Sequence, residues 1–240
     1  MSAVTHYAVP SGRTEPLIRR AWWSYLLWIP AAALLGFAIP VIFASLLHLQ
    51  RSMYLIPYVA FVSLFLYAFL RWSSLSLAAL FRHNWVWGVV GGVLVGAFLV
   101  RNVFSQPAST RAAGLPLAFD LLWSGVVYGS IDALLLTVLP VLAIWQAASI
   151  LGWTTSWPGK IAVGAIAFVA SLFVTLCYHL GFPEYRAQGG VVGPTIGNGT
   201  MTIGYLLTNN PITAIFSHIA MHIAGVLHGP ASVIQLPPHY

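Results

Sequence analysis

The stretch LAFDLLWSGVVYGSIDALLLTVLPVLAIWQAASI, Leu117 to Ile150, decides how the rest of the chain is read. It carries two charged residues, Asp120 and Asp132, among long runs of Leu, Val, Ala and Ile. An apolar run of this length is the mark of a helix that spans a bilayer. As a straight helix it would reach roughly 51 Å, well beyond a hydrocarbon core of about 30 Å. It must therefore tilt, kink at Pro140 or run partly outside.

The whole composition agrees. Of 240 residues, 59% are hydrophobic and 6% are charged. A soluble surface needs roughly 25–35% charged residues, so a soluble domain and a disordered chain are both excluded. The net charge of +6 comes from Lys and Arg scattered along the chain, single apart from Arg19-Arg20. No basic stripe forms, so no nucleic-acid partner is expected; the partner expected first is the lipid bilayer. Cys177 is the single cysteine, which excludes an intrachain disulfide.

Charges and polar loops delimit the spans. Working outward from Leu117, they fall at about Trp22–Leu47, Met53–Leu70, Trp85–Val100, Leu117–Ile150, Ile161–Leu180 and Ile212–Leu227. Trp72 to Phe81, between Arg71 and Arg82, is too short to cross and reads as an interfacial or re-entrant helix. The fold class expected is all-α, a polytopic bundle of about six spans plus that short helix. Gly88 to Gly96, GVVGGVLVG, has the small-residue spacing that lets helices approach closely. Asn102–Gly114 and Trp153–Lys160 read as a loop and a turn. Gly181–Asn210, rich in Gly, Asn and Thr, is expected to hold a short or broken helix around Thr200–Leu207, with Gly193–Thr200 as flexible or re-entrant backbone. Tryptophans sit near span ends, as in an interfacial belt.

Residues 1–20 are polar and end in Arg19-Arg20. The apolar run that follows is too long for a signal-peptide core and reads as an uncleaved first span. With the N-terminus inside, inner segments hold Arg13, Arg19, Arg20, Arg71, Arg82 and Lys160, against Arg51, Arg101, Arg111 and Arg186 outside. That balance favours a cytoplasmic N-terminus.

Ionisable groups within spans are costly and are functional candidates by default. Asp120 and Asp132 lie roughly 18 Å apart along a helix axis, so they cannot act as a pair on one bond. Asp120 is near a span end, where water can solvate it; Asp132 is deep. His218 and His222 share one helix face at i, i+4, and His179 closes the preceding span. Asp132, His179, His218 and His222 together could hold zinc or another divalent transition metal. The alternative is that each simply bonds to a neighbouring helix. His228, beside Gly229-Pro230, reads as interfacial. Gly193 to Thr200 lacks the Lys-Ser/Thr ending of a phosphate loop, and Asn198-Gly-Thr is formally a glycosylation triplet.

Gly129-Ser-Ile-Asp132, Thr175-Leu-Cys-Tyr-His179 and His218-Ile-Ala-Met-His222 resemble, in order along the last helices, the first, second and third motifs of the CPBP family of CAAX-protease and bacteriocin-processing membrane proteins. The resemblance covers about Leu117 to Pro230. It divides the chain into a polar segment 1–20, N-terminal helices 21–116, a CPBP-like core 117–230 and a tail 231–240. His222 stands where the family has Asn, Thr175 where it has Phe, and Asp132 where it has a Glu pair followed by Arg. The resemblance implies an intramembrane peptide hydrolase or a catalytically reduced relative, with Asp132 as base and His179, His218 and His222 as partners. It implies a membrane-protein or peptide substrate and a prokaryotic inner or plasma membrane as the location. An ion- or proton-coupled transporter and a non-catalytic scaffold are the competing readings.

Overall fold

The computed structural model describes residues 20–186 and 190–240. The expected polar start falls almost wholly outside them, including Arg13 and Arg19. The described chain is all-α. Helix α1 is Trp22–Leu46, α2 Arg51–Ser73, α4 Trp85–Phe104, α5 Leu115–Ile150 and α6 Trp157–Leu180, and these five are long and apolar enough to cross a membrane. Between them lies the short α3, Leu77–Arg82, followed after α6 by α7, Pro183–Arg186, α8, Val192–Thr208, and α9, Ile212–His228.

Helix α5 is the centre of the bundle. In its most apolar window 72% of residues are buried, against 28–33% in the other four long helices. Those four turn large apolar side chains outward, such as Leu34, Leu64, Leu94 and Val169. An apolar surface of this extent suits lipid and not water.

Two stretches of α5 have widened turns. Leu121–Val127 and Leu134–Val138 are π-helical, and Tyr128–Ala133 between them is regular α-helix. Such bulges re-aim side chains and gather at functional sites; here they bracket Asp132. Pro140 has no N–H to give the carbonyl of Leu136, four residues back. Ser171 of α6 donates its hydroxyl to that carbonyl at 2.7 Å, so the proline leaves no orphan acceptor in the core.

Small residues set how closely the other helices approach. Gly88, Gly92 and Gly96 fall on one face of α4. Added Cβ atoms there would meet Asn210, Phe216 and Ala220 in turn. The pairs advance together, so α4 and α9 run parallel in direct contact, and α8 runs antiparallel beside them, with Gly197 toward Leu99 and Gly204 toward Val95. On the other side of α9, a Cβ on Gly125 or Gly129 of α5 would lie within 3.0 Å of Ile223 or Ile219.

Three sequence expectations change here. Gly181–Asn210 contains the short α7 and a continuous 17-residue helix, α8, in place of a short or broken one around Thr200–Leu207. Its glycines are packing surfaces: Gly199 faces Phe168 and Leu172, and Gly204 faces Thr213 and Val95. Helix α4 runs through Asn102 to Phe104, so the expected loop starts later. The expected turn at Trp153–Lys160 is already helical from Trp157, where Ser156 caps the helix by accepting from the Gly159 N–H at 3.2 Å. The tryptophans near span ends gather at one end of the bundle, the end of Arg20. Trp22, Trp23, Trp85, Trp87, Trp153 and Trp157 are all exposed there.

Replacing Gly92 by Val should lower the melting temperature in detergent, at a cost of about 1–3 kcal/mol, because its Cβ would lie 2.7 Å from the Phe216 Cβ. Gly164→Ala, with nothing within 4 Å, should be neutral or mildly stabilising. Equal melting of both variants would contradict the packing described.

Candidate metal centre

The widened α5 and the i, i+4 face of α9 converge on one point. Asp132 and His218 are 3% exposed and His222 is 1% exposed. The Nε2 atoms of His218 and His222 lie 3.5 and 3.7 Å from the same carboxylate oxygen, Oδ2 of Asp132. The two imidazoles stack almost parallel, at an interplanar angle of 9°. One ligand atom from each of the three residues lies within 4.8 Å of the others.

The second carboxylate oxygen is held from the far side. Tyr58 of α2 donates its hydroxyl to Asp132 Oδ1 at 2.5 Å. Tyr58 packs edge-on to Tyr128 and tilted against Tyr178, both with ring centroids at 5.5 Å. The hydroxyls of Tyr128 and Tyr178 are 2.5 Å apart, and the Tyr128 ring lies 4.6 Å from that of His222. This tyrosine wall locks the Asp132 rotamer and turns Oδ2 toward the histidines.

A buried carboxylate without a compensating charge is expensive, and so is a buried polar atom without a partner. Among the described residues, His218 Nδ1 and both ring nitrogens of His222 are buried with no hydrogen-bond partner. Two imidazoles and one carboxylate oxygen aimed at a shared point are a fitting donor set for zinc or another divalent transition metal. Such a cation would neutralise Asp132 and give the Nε2 atoms a partner.

The three residues form the floor of a cavity of about 160 Å³, whose wall includes Leu99, Asn102, Asn198, Met201 and Tyr185. His179 also lines it, yet it does not join the three ligands. Its Nδ1 lies 2.8 Å from the Thr175 carbonyl one turn back. A carbonyl only accepts, so Nδ1 carries the proton and Nε2 is left as an acceptor. The expected four-residue ligand set is therefore three residues plus a neighbouring histidine.

The remaining candidates lie elsewhere. Asp120 lines a separate cleft with Gln50, Arg51, Ser52 and Ser124. His228 meets the carbonyl of Gln106 at 2.8 Å, as befits a helix end. Asn198 is buried, with Thr137 donating to its Oδ1 at 2.7 Å and its Nδ2 donating to Ser171 at 2.9 Å. A glycosylation acceptor would have to be exposed. Just outside the spans, burial raises the Glu184 carboxyl, but the bond with His239 outweighs it and holds the group below its ordinary range. Tyr58, Tyr128 and Asn198 escaped the sequence reading as site residues; the only signal for the first was a tyrosine within an apolar span.

Neither protein-family models, nor curated proteins, nor solved structures match this chain.

Purified protein should carry one zinc per chain by elemental analysis. Asp132→Ala, His218→Ala and His222→Ala should each lose it. His179→Gln should keep full stoichiometry. Tyr58→Phe should bind with about 10–100-fold lower affinity, the usual cost of removing a hydrogen bond behind a ligand. Metal retained in all three ligand variants would rule out the centre.

Proposed function

We propose that the chain is an integral membrane protein and a metal-dependent hydrolase of the CPBP type, acting on a peptide bond presented to the cavity. The observation that carries this reading is the convergence of His218 Nε2 and His222 Nε2 on one oxygen of Asp132 at the cavity floor. Side chains directed to separate helix contacts would instead have supported a scaffold.

The residues divide the work. Asp132, His218 and His222 would hold the metal; when bound, it supplies a water of lowered pKa and polarises the substrate carbonyl. His179 would take the proton from the attacking water through Nε2, because its Nδ1–H is committed to Thr175. The apolar cavity wall would limit bulk water, which strengthens each of these interactions. This differs from what the resemblance alone implies, since Asp132 serves as a ligand and the base moves to His179.

The orientation expected from charge belongs to the same proposal. Arg20, Arg71, Arg82 and Lys160 lie at the tryptophan-rich end, with Arg13 and Arg19 preceding them in sequence. With that end in the cytoplasm of a prokaryotic cell, the cavity wall formed by Asn102, Tyr185 and Gln235 would lie in the non-cytoplasmic half of the inner or plasma membrane.

The test uses zinc-loaded protein in liposomes and a panel of fluorogenic peptides carrying a membrane-spanning segment. Cleavage should disappear with a chelator and return with zinc. His179→Gln should lower kcat about 100-fold or more with metal content unchanged, the usual weight of a general base. Cleavage indifferent to both the chelator and Asp132→Ala would overturn the reading.

A further inference from the structure

The segment after α9 does not leave the bundle. From Gly229 it turns back, and Ile234, Gln235 and Pro237 form part of the cavity wall above the Asp132–His218–His222 floor. Val233, Leu236, Pro237 and Pro238 are buried. Leu236 rests on Gly225 of α9, where a Cβ would come within 2.8 Å of it. Ile234 occupies space that Gly193 of α8 leaves open.

How the backbone of this segment is held points to its role. The Ile234 N–H donates to Gln106 Oε1 at 3.2 Å, and the Tyr185 hydroxyl donates to the Ile234 carbonyl. Both main-chain groups of one residue are thus read by side chains of the bundle, which is how proteins hold an extended peptide independently of its sequence. Burial, with the charges of Glu184 and Asp132 adding to it, keeps the Tyr185 hydroxyl protonated well above its ordinary range, so it remains a donor. Pro237 and Pro238 bring no N–H that the mouth would have to satisfy.

Weaker ties fasten the segment's end. His239 Nδ1 lies 3.3 Å from Glu184, Arg51 donates to the Pro238 carbonyl at 3.1 Å, and the Tyr240 hydroxyl donates to the Ala44 carbonyl. These contacts are single, polar and close to the bundle's end. Val233 and Leu236 are instead seated in an apolar cluster with Leu99, Val103, Met201 and Met221, so lifting the whole segment also opens that part of the core.

We propose that residues 231–240 are an intramolecular strap seated in a peptide-binding mouth, and that an extended polypeptide segment takes this place above the metal centre when the strap lifts. The proposal rests on the hydrolase reading for the identity of the occupant. Gln106 and Tyr185 are then the groups that position a substrate backbone, and the strap is a resident competitor.

The test needs neither turnover nor metal. In a Cys177→Ser background, Met201→Cys places one thiol in the cavity wall, and its rate of modification by a water-soluble methanethiosulfonate is followed in detergent. The strapped protein should react slowly. His239→Ala combined with Tyr240→Phe, which loosens the strap from its own side, should raise the rate at least tenfold. Tyr185→Phe provides a second release that leaves the segment's sequence untouched. A synthetic peptide of residues 230–240, added to the released variant, should slow the reaction again. A rate unchanged in both release variants, or a peptide without effect on either, overturns the proposal. Repeating the series in Asp132→Ala separates the two readings. A strap effect that persists there while wild type binds no zinc discards the hydrolase alone. Zinc binding with no strap effect discards the strap alone.

Discussion

One carboxylate constrains the rest of this protein. Asp132 sits at 3% exposure in the most buried helix of an apolar bundle, where an unneutralised charge would cost more than most single contacts return. The surrounding structure answers that cost in layers. The π-helical turns on both sides of Tyr128–Ala133 set the direction of the side chain. Tyr58 fixes one oxygen. Two histidines one helical turn apart face the other. The glycines of α5 then let α9 come close enough for its imidazoles to reach, since a side chain at Gly129 would press on both Ile219 and His222.

The polar atoms that do not touch Asp132 follow the same economy. Thr137, Asn198, Ser171 and Thr202 bond to one another and to backbone carbonyls across three helices. Ser171 gives its proton to Leu136, so toward Asn198 its oxygen can only accept. That fixes the Asn198 amide with its nitrogen toward Ser171 and its oxygen toward Thr137. Buried polar groups of this kind specify one arrangement of helices where purely apolar faces would allow several.

Much of the architecture was legible because charges punctuate the spans. Arg71, Arg82 and Lys160 mark helix ends or their first turns, and the long run from Leu117 lies in one 36-residue helix interrupted by π-helical turns. Asp132, His218 and His222 were legible as a cluster because each is anomalous in an apolar run. Other features were not. The glycines, Asn198 and Thr202 of α8 have the composition of a loop, and their packing against α6 and α9 is a tertiary fact that no local pattern carries. Tyr58 is 74 residues from Asp132 in sequence. The tautomer of His179 depends on a carbonyl of its own helix. The path of residues 229–240 along the cavity follows from contacts with the α4–α5 loop and with α1, α2, α7, α8 and α9, all distant in sequence except α9.

The parallel course of α4 and α9 has a consequence for biogenesis. Two parallel neighbours cannot form a simple hairpin, so α8 must recross the bundle before α9 can lie against the glycine face of α4. Helices α8 and α9 are 17 residues each and carry Asn198, Thr202, His218 and His222. In a bilayer such segments are poor stop signals on their own and enter best as a pair, after a groove between α4, α5 and α6 exists to receive them. The donor set is therefore complete only when the last helix docks. A nascent chain arrested before α9 would hold Asp132 and Tyr58 but neither imidazole.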